Sequence, residues 1–511
     1  MYSIEEVKSR LDQVRPEIEK LMKIGGTPGA AIGVLHHGQL AYLDNIGFRD
    51  VSSKLPVTNE TIFPCASLTK AILSAAMAIC VEEGGLSWDT PVQRILPEFH
   101  TRDELLHYHM TVSDCLCHRA GMQASPYWLG SMNNVLISNE NSMNFINDLQ
   151  RIRPFPDQYL YNNLGYEIAA HIIARVTGDP WERVLHTKIF KALDMGRTGT
   201  RFGFIQDDNV AKAYATLDDA SPVEIVPMLS GDNTVGGPGS AMRSCMKDLL
   251  RRYSSLLDAG NHQTATGRTS TPGNPFKQAR VQTPGPMGAI GLNPDLLSPK
   301  PVPDIAKNHP SQLVLYHQGS MPGNLAAVNL VPKTSGAIVV LTNSLALNDT
   351  ADWIGQMLLE AYLGVEDITD YVSLSKETVK SVVSWYARIL QQLKEQQIPG
   401  TSPRPLAEYV GTYYNYARTM MIQIIAKAQE KSLFIKFQGL DSEEFILNHY
   451  HYDNFTWLEP RNNLARRGRF TNTNADYFKI SFGTDGGHRI NHLTWQHDKE
   501  LPKPESFYKE N

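Results

Sequence analysis

Long apolar runs are missing from this chain of 511 residues. No stretch approaches the roughly 18 consecutive apolar residues that a membrane-spanning helix needs, so a membrane partner is not expected. Charge of one sign is missing too. Lys plus Arg number 48 and Asp plus Glu 53, for a formal net charge of −5, and no basic cluster or long charge run breaks the balance. That argues against nucleic acid as a partner. Cysteine is scarce: Cys65, Cys80, Cys115, Cys117 and Cys245 are an odd number and widely spread, which reads as reduced thiols rather than a disulfide framework. Cys115-x-Cys117 has no second pair to complete a zinc site. His107-x-His109 and His449-x-His451 have no evident third ligand, so neither a metal nor a cofactor is expected. The start, Met1-Tyr-Ser-Ile-Glu-Glu-Val-Lys8, lacks the charged, apolar and small-residue zones of a secretory leader, and the expected location is cytosolic. No internal repeat is found.

What is present falls into two parts. The length predicts two domains. Ile4, Val7, Leu11, Val14, Ile18 and Leu21 recur every three or four residues, the stripe of an amphipathic helix packed on a core. Residues 30–35 and 39–43 flank His36-His-Gly38 and predict a hairpin. From about 87 to 200 the chain reads as a helical lobe. Residues 259–310 are crowded with Pro, Gly, Ser and Thr and predict an irregular excursion. Strands return at 312–317, 325–331 and 337–342, then helices at about 349–363 and 376–394. Pro399-Gly-Thr-Ser-Pro-Arg-Pro405 reads as a stiff linker. Beyond it, alternating segments such as 433–437 and 477–482 predict a small β-barrel or sandwich. The expected fold is α+β, an antiparallel sheet flanked by helices plus a helical lobe over 1–395, followed by a small barrel over 405–511.

The most telling local feature is Ser67-Leu-Thr-Lys70. Residues three apart share a helical face, so the amine can reach the hydroxyl and take its proton. The following run, Ala71-Ile-Leu-Ser-Ala-Ala-Met-Ala-Ile-Cys80-Val81, leaves no polar face and predicts a buried helix. A lysine there is poorly solvated, and its proton affinity falls toward neutrality, as a base working near pH 7 requires. Ser-x-x-Lys also occurs at Ser244/Lys247, Ser373/Lys376 and Ser506/Lys509, so spacing alone decides nothing. Context separates Ser67: a small-residue approach, a helix N-terminus and the apolar run behind it. The plainer alternative is a serine cap followed by a snorkelling lysine.

Ser67-x-x-Lys70, Tyr161-Asn-Asn163 and His317-Gln-Gly319, in that order, resemble the three active-site motifs of the serine β-lactamase and penicillin-binding-protein superfamily. The similarity is greatest to class C β-lactamases and their esterase, D-aminopeptidase and acyltransferase relatives. Pro28-Gly-Ala-Ala-Ile-Gly-Val34, His118-Arg-Ala-Gly121, Gly236-Gly-Pro-Gly-Ser240 and Leu341-Thr-Asn343 extend the resemblance over about residues 5–365. The tail resembles the lipocalin-like barrel of some of these hydrolases through Tyr409-Val-Gly-Thr-Tyr413. Lys333-Thr-Ser-Gly336 imitates a lysine third motif but occupies a turn between strands, so His317 is taken.

The resemblance implies a nucleophile at Ser67, proton traffic shared by Lys70 and Tyr161, and a geometry-holding amide at Asn163. It also implies an oxyanion hole from the backbone N–H groups of Ser67 and Ser320, with Gly319 allowing close approach of the strand. Which of Lys70 and Tyr161 is the base at each step stays open. Tyr127 and Trp128 line the pocket or pack the helical lobe. The expected activity is a serine hydrolase or acyltransferase acting on a small-molecule ester, amide or thioester, with homo-oligomer formation left open. A β-lactamase or D-aminopeptidase is the alternative, and a silent binding or scaffold protein the further one.

Overall fold

The structure is a computed structural model. It describes residues 2–267, 292–427, 432–471 and 473–510. The chain divides into two compact units. The first comprises Met1–Trp88, Ala169–Asp232 and Gly237–Val383, and the second Asp89–Ile168, Asn233–Gly236 and Ser384–Asn511.

An antiparallel sheet organises the first unit. Its strands are β1 (Gly29–His36), β2 (Gln39–Asp50), β3 (Leu55–Pro56), β4 (Leu315–Met321), β5 (Asn324–Val331) and β6 (Gly336–Thr342). Their order across the sheet is β3-β2-β1-β6-β5-β4. β1 and β2 turn through His37 and Gly38, both at positive φ (52° and 72°), the combination that suits the right-handed twist of a hairpin. Side chains alternate along β1. Ala30, Ile32 and Val34 join one core with helices Ile4–Gly25 and Thr350–Leu363, whereas a Cβ on Gly33 would lie 2.6 Å from Met246 of the helix Met246–Thr266 on the other face. The N-terminal helix buries Val7, Leu11, Val14, Ile18 and Leu21. Ser3 and Glu6 form a capping box at its start, and Gly26 ends it in the left-handed conformation.

Several boundaries differ from the sequence reading. The excursion placed at 259–310 is helical to Thr266 and again over Asn293–Leu297, because a stripe including Leu249, Leu250, Tyr253 and Leu257 outweighs the polar composition after it. Residues 298–310 are irregular, as expected, and 268–291 lie outside the described residues. The strand read from 312 begins at Leu315 and runs on to Met321, since pairing with β5 carries it through Gly319 and Ser320. The helix read over 376–394 is two, Tyr371–Val383 and Trp385–Gln396.

In the second unit, strands between Gly411 and Lys509 close into a barrel of eight described strands, the first pairing with the last through Tyr413–Lys509 and Tyr414–Tyr508. Period-two alternation buries Ile422 and Ile424, Leu433 and Ile435, Phe445 and Leu447, and Leu493 and Trp495. The same unit holds the short helices Val92–Ile95, Glu104–His109, Val112–Leu116 and Ser142–Asp148. Among the described residues no helix is long and apolar enough to cross a membrane.

Candidate active site

Ser67 sits in a single 3-10 turn, Ala66–Leu68, from which the helix Thr69–Glu82 continues. Ala66 precedes it at φ 44°, a left-handed conformation that a residue with a side chain adopts only when its surroundings enforce it. The enforcement is visible. Cys65 N–H donates to Met242 O (2.7 Å), Thr69 Oγ1 donates to Ala66 O (2.6 Å), and Met242 N–H donates to Thr69 Oγ1 (2.9 Å). Lys70 follows one turn behind Ser67, with Nζ 3.1 Å from Ser67 Oγ. The same amine donates to Gly239 O at 2.9 Å. Lys70 is only 2% exposed, and burial pulls its pKa down to about 7. At neutral pH a large fraction of the amine is therefore unprotonated, with a lone pair available to the hydroxyl one turn away.

The edge strand β4 approaches this turn closely. A Cβ on Gly319 would stand 2.5 Å from Cys65 O and 3.4 Å from the Ala66 Cβ, so only glycine permits the approach. Asn324 Nδ2 donates to Pro64 O (3.0 Å), tying β5 to the same approach. His317 is half-buried, and its Nδ1 lies 2.6 Å from Gln318 O. Desolvation, followed by the charge of Lys70, lowers its pKa to about 4, so it is a neutral imidazole in the physiological range. Alternation puts Gln318 and Ser320 on the opposite face. Gln318 Nε2 donates to Asp352 Oδ1 (2.9 Å), and the same carboxylate accepts from Asn293 and Gln356. Ser320 Oγ is buried without a hydrogen-bond partner.

Tyr161, Asn163, Tyr127 and Trp128 belong to the second unit. The Tyr161 ring stacks on His118 with centroids 4.4 Å apart. His118 Nδ1 accepts from Asn162 N–H (3.0 Å), which leaves the ring proton on Nε2. Asn162 is buried and donates to Met122 O and Gln123 O, both at 3.0 Å, while its Oδ1 accepts from Leu164 N–H (2.7 Å) and starts the helix Leu164–Thr177. Asn163 O accepts from Tyr166 N–H. Tyr127 is buried edge-on to His497, 4.5 Å between centroids. Trp128 packs on Gly236, where a Cβ would meet its ring at 2.7 Å. Gly236 N–H donates to Glu167 Oε2 (2.9 Å), and burial raises that carboxyl to about 7.

The structure thus brings Ser67, Lys70 and the strand carrying His317, Gly319 and Ser320 together in the first unit, and sets Tyr161 and Asn163 on a pinned loop in the second. Thr69, Gly239, His118, Asn162 and Glu167 were not singled out as site residues from sequence, since their roles rest on partners far along the chain. Among the described residues no group of three or more His, Cys, Asp or Glu side chains could hold a metal; His107 and His109 lie on a helix, His449 and His451 on a strand.

A serine and a buried lysine one turn apart, beside the edge strand of an antiparallel sheet, define a hydrolase fold of the serine β-lactamase and penicillin-binding-protein superfamily. The Beta-lactamase family model matches residues 14–362, and the chain belongs to that family. A second model, a domain of unknown function, matches residues 395–510. The chain is 24% identical over 432 residues to the Unguisins hydrolase of Aspergillus violaceofuscus, covering 78% of this chain and 74% of that protein. It is 25% identical over 351 residues to Protein flp of Staphylococcus aureus, covering 65% of this chain and 62% of that one. The octameric penicillin-binding protein homologue from Pyrococcus abyssi shares the fold, with TM-score 0.56 at 17% identity over 97% of this chain and 99% of its own.

Proposed function

We propose that this protein is a serine hydrolase that forms an acyl-enzyme on Ser67 with a small-molecule ester, amide or thioester. One observation carries the reading: a buried amine whose pKa falls to about 7 lies 3.1 Å from the serine hydroxyl. In the acylation step the Ser67 proton passes to the neutral Lys70 amine as Oγ bonds to the acyl carbon, and the carbonyl π pair moves onto oxygen. Backbone N–H groups of Ser67 and Ser320 receive that oxyanion. Collapse breaks the bond to the leaving group, which takes up the proton; water repeats the sequence and frees the acid. Tyr161 shares the proton traffic, and Asn163 holds the substrate or Lys70 in place. The reading favours water over another acceptor because a relative covering most of the chain is named a hydrolase. The neutral His317 favours acyl groups without a carboxylate at that position, which weighs against a β-lactam specialisation.

The test is mass spectrometry after a fluorophosphonate or a p-nitrophenyl ester. An adduct on Ser67 is expected, and folded protein without one would overturn the reading. Tyr161→Phe is expected to slow acylation by roughly 100-fold or more, the loss typical of a general acid–base group; a rate near that of the unsubstituted protein in stopped-flow acylation removes Tyr161 from the mechanism. Homo-oligomer formation belongs to the same proposal, supported by the octamer named for the structural relative, and light scattering of the full chain checks it.

A further inference from the structure

β4 is the edge strand of its sheet, with ladder hydrogen bonds to β5 on one side. An edge held from one side alone is free to shift, yet a displacement of about 1 Å is enough to spoil a catalytic geometry. Gln318 supplies a second hold. It lies between His317 and Gly319, and at the back of the sheet its Nε2 donates to Asp352 Oδ1 (2.9 Å) on the helix Thr350–Leu363. Ser320, the other residue flanking Gly319 on that face, has its hydroxyl buried without a partner and supplies no tie. In front, the main-chain O of Gln318 lies 2.6 Å from His317 Nδ1. A carbonyl only accepts, so that nitrogen carries the ring proton. One residue thus links the imidazole to the helix behind the sheet, and all of these groups belong to the first unit with Ser67.

Asp352 is buried, and the side-chain donors on it are neutral amides: Gln318 on Oδ1, Asn293 (3.3 Å) and Gln356 (2.7 Å) on Oδ2. Asp349, wholly buried one turn earlier, accepts from Asp352 N–H through Oδ1 (3.1 Å) and has Oδ2 without a partner. Burial raises both carboxyls, Asp349 further because the charge of Asp352 lies beside it, whereas the three amides stabilise the Asp352 carboxylate. Asp352 is therefore the ionised member and Asp349 the protonated one. A buried carboxylate served by amides is left undersolvated when one of them departs, so it holds Gln318 more firmly than a neutral acceptor would.

We propose that Gln318 and Asp352 are positioning residues for the reaction at Ser67: their hydrogen bond sets β4 where the Ser320 N–H meets the oxyanion and His317 faces the substrate. This rests on the hydrolase reading above. The test measures kcat and KM for p-nitrophenyl acetate in full-length protein, per serine labelled to completion by fluorophosphonate. Gln318→Glu, nearly equal in shape, sets carboxylate against carboxylate and is expected to lower kcat about thirtyfold at neutral pH, with KM changed less than about threefold. Adding Asp352→Asn is expected to restore kcat to within about threefold, because the new amide donates to the new carboxylate while its oxygen still accepts from Asn293 and Gln356. Gln318→Met keeps the stem and loses the donor; it is expected to lower kcat about tenfold and to speed deuterium exchange of the 315–321 amides. It carries the test should Gln318→Glu fold poorly. A residue that merely stabilises the fold would, when replaced, reduce thermal stability and the labelled fraction but leave kcat per labelled serine unchanged. That result overturns the proposal, as does a folded double variant with no recovery or unchanged exchange in Gln318→Met. Absence of label on Ser67 in the unsubstituted protein strikes the hydrolase reading instead, and the exchange comparison, which needs no turnover, still decides whether Gln318 anchors β4.

Discussion

Lys70→Met is expected to lower kcat/KM by about a thousandfold or more at pH 7 while making the folded protein more stable in mild acid. The activity loss follows from removing the amine that takes the Ser67 proton, with the oxyanion donors left in place. The gain in stability follows from linkage. In the folded protein the Lys70 pKa is about 7; in the unfolded chain it is near the ordinary 10.4. Between those values the unfolded state binds more protons, so stability rises with pH across that window. Below pH 7 both states are charged, and the full penalty of a buried ammonium remains, at about 1.4 kcal/mol per pH unit of displacement. Methionine removes the penalty and keeps the stem. Urea unfolding at pH 6 and pH 10 checks the sign: the variant should gain stability at pH 6 and lose that advantage by pH 10. In the unsubstituted enzyme kcat/KM should climb with pH through about 7, and a profile flat from pH 5 to 8 would exclude Lys70 as the base.

Gly319→Ala should be nearly as damaging, for a steric reason. The new Cβ would fall 2.5 Å from Cys65 O, a backbone atom that cannot swing aside. Either β4 or the turn bearing Ser67 must move by about 1 Å, and misplacement on that scale costs on the order of 100-fold in rate. A loss of about 1–3 kcal/mol in stability should accompany it. Paired kcat/KM and thermal unfolding measurements test this; a variant with unchanged turnover would show that the strand's close approach is dispensable.

Features governed by nearby residues were readable from the sequence. The spacing of Ser67 and Lys70, the apolar run behind them and the His37-Gly38 turn need only local periodicity and φ preference, and the structure contains the helix, the buried lysine and the hairpin. The helix at 350–363 was equally plain, since Asp349 caps it and its apolar residues are buried. Illegible features depend on partners distant in sequence. His118 and Gly239 stand in segments that carry the family resemblance, but the pairings themselves, His118 beneath Tyr161, Gly239 as acceptor for Lys70 and Glu167 on Gly236, have no local signature. Tyr127 reads from sequence as a pocket aromatic or a packed one; the structure sets it against His497, which no pattern near residue 127 announces. The start of β4 was misplaced for a related reason. Gln312 to Val314 have strand-like composition, yet pairing with β5 begins at Leu315.

The second unit joins residues 89–168 to strands made much later, in Ser384–Asn511. A ribosome therefore releases Tyr127 and Ser131 long before His497, Glu443 and Arg469 exist to receive them, so this stretch must wait with apolar surface uncovered while the rest is translated. Chaperone demand during synthesis, and sensitivity to premature stop codons within the barrel strands, are the cellular costs of that chain order.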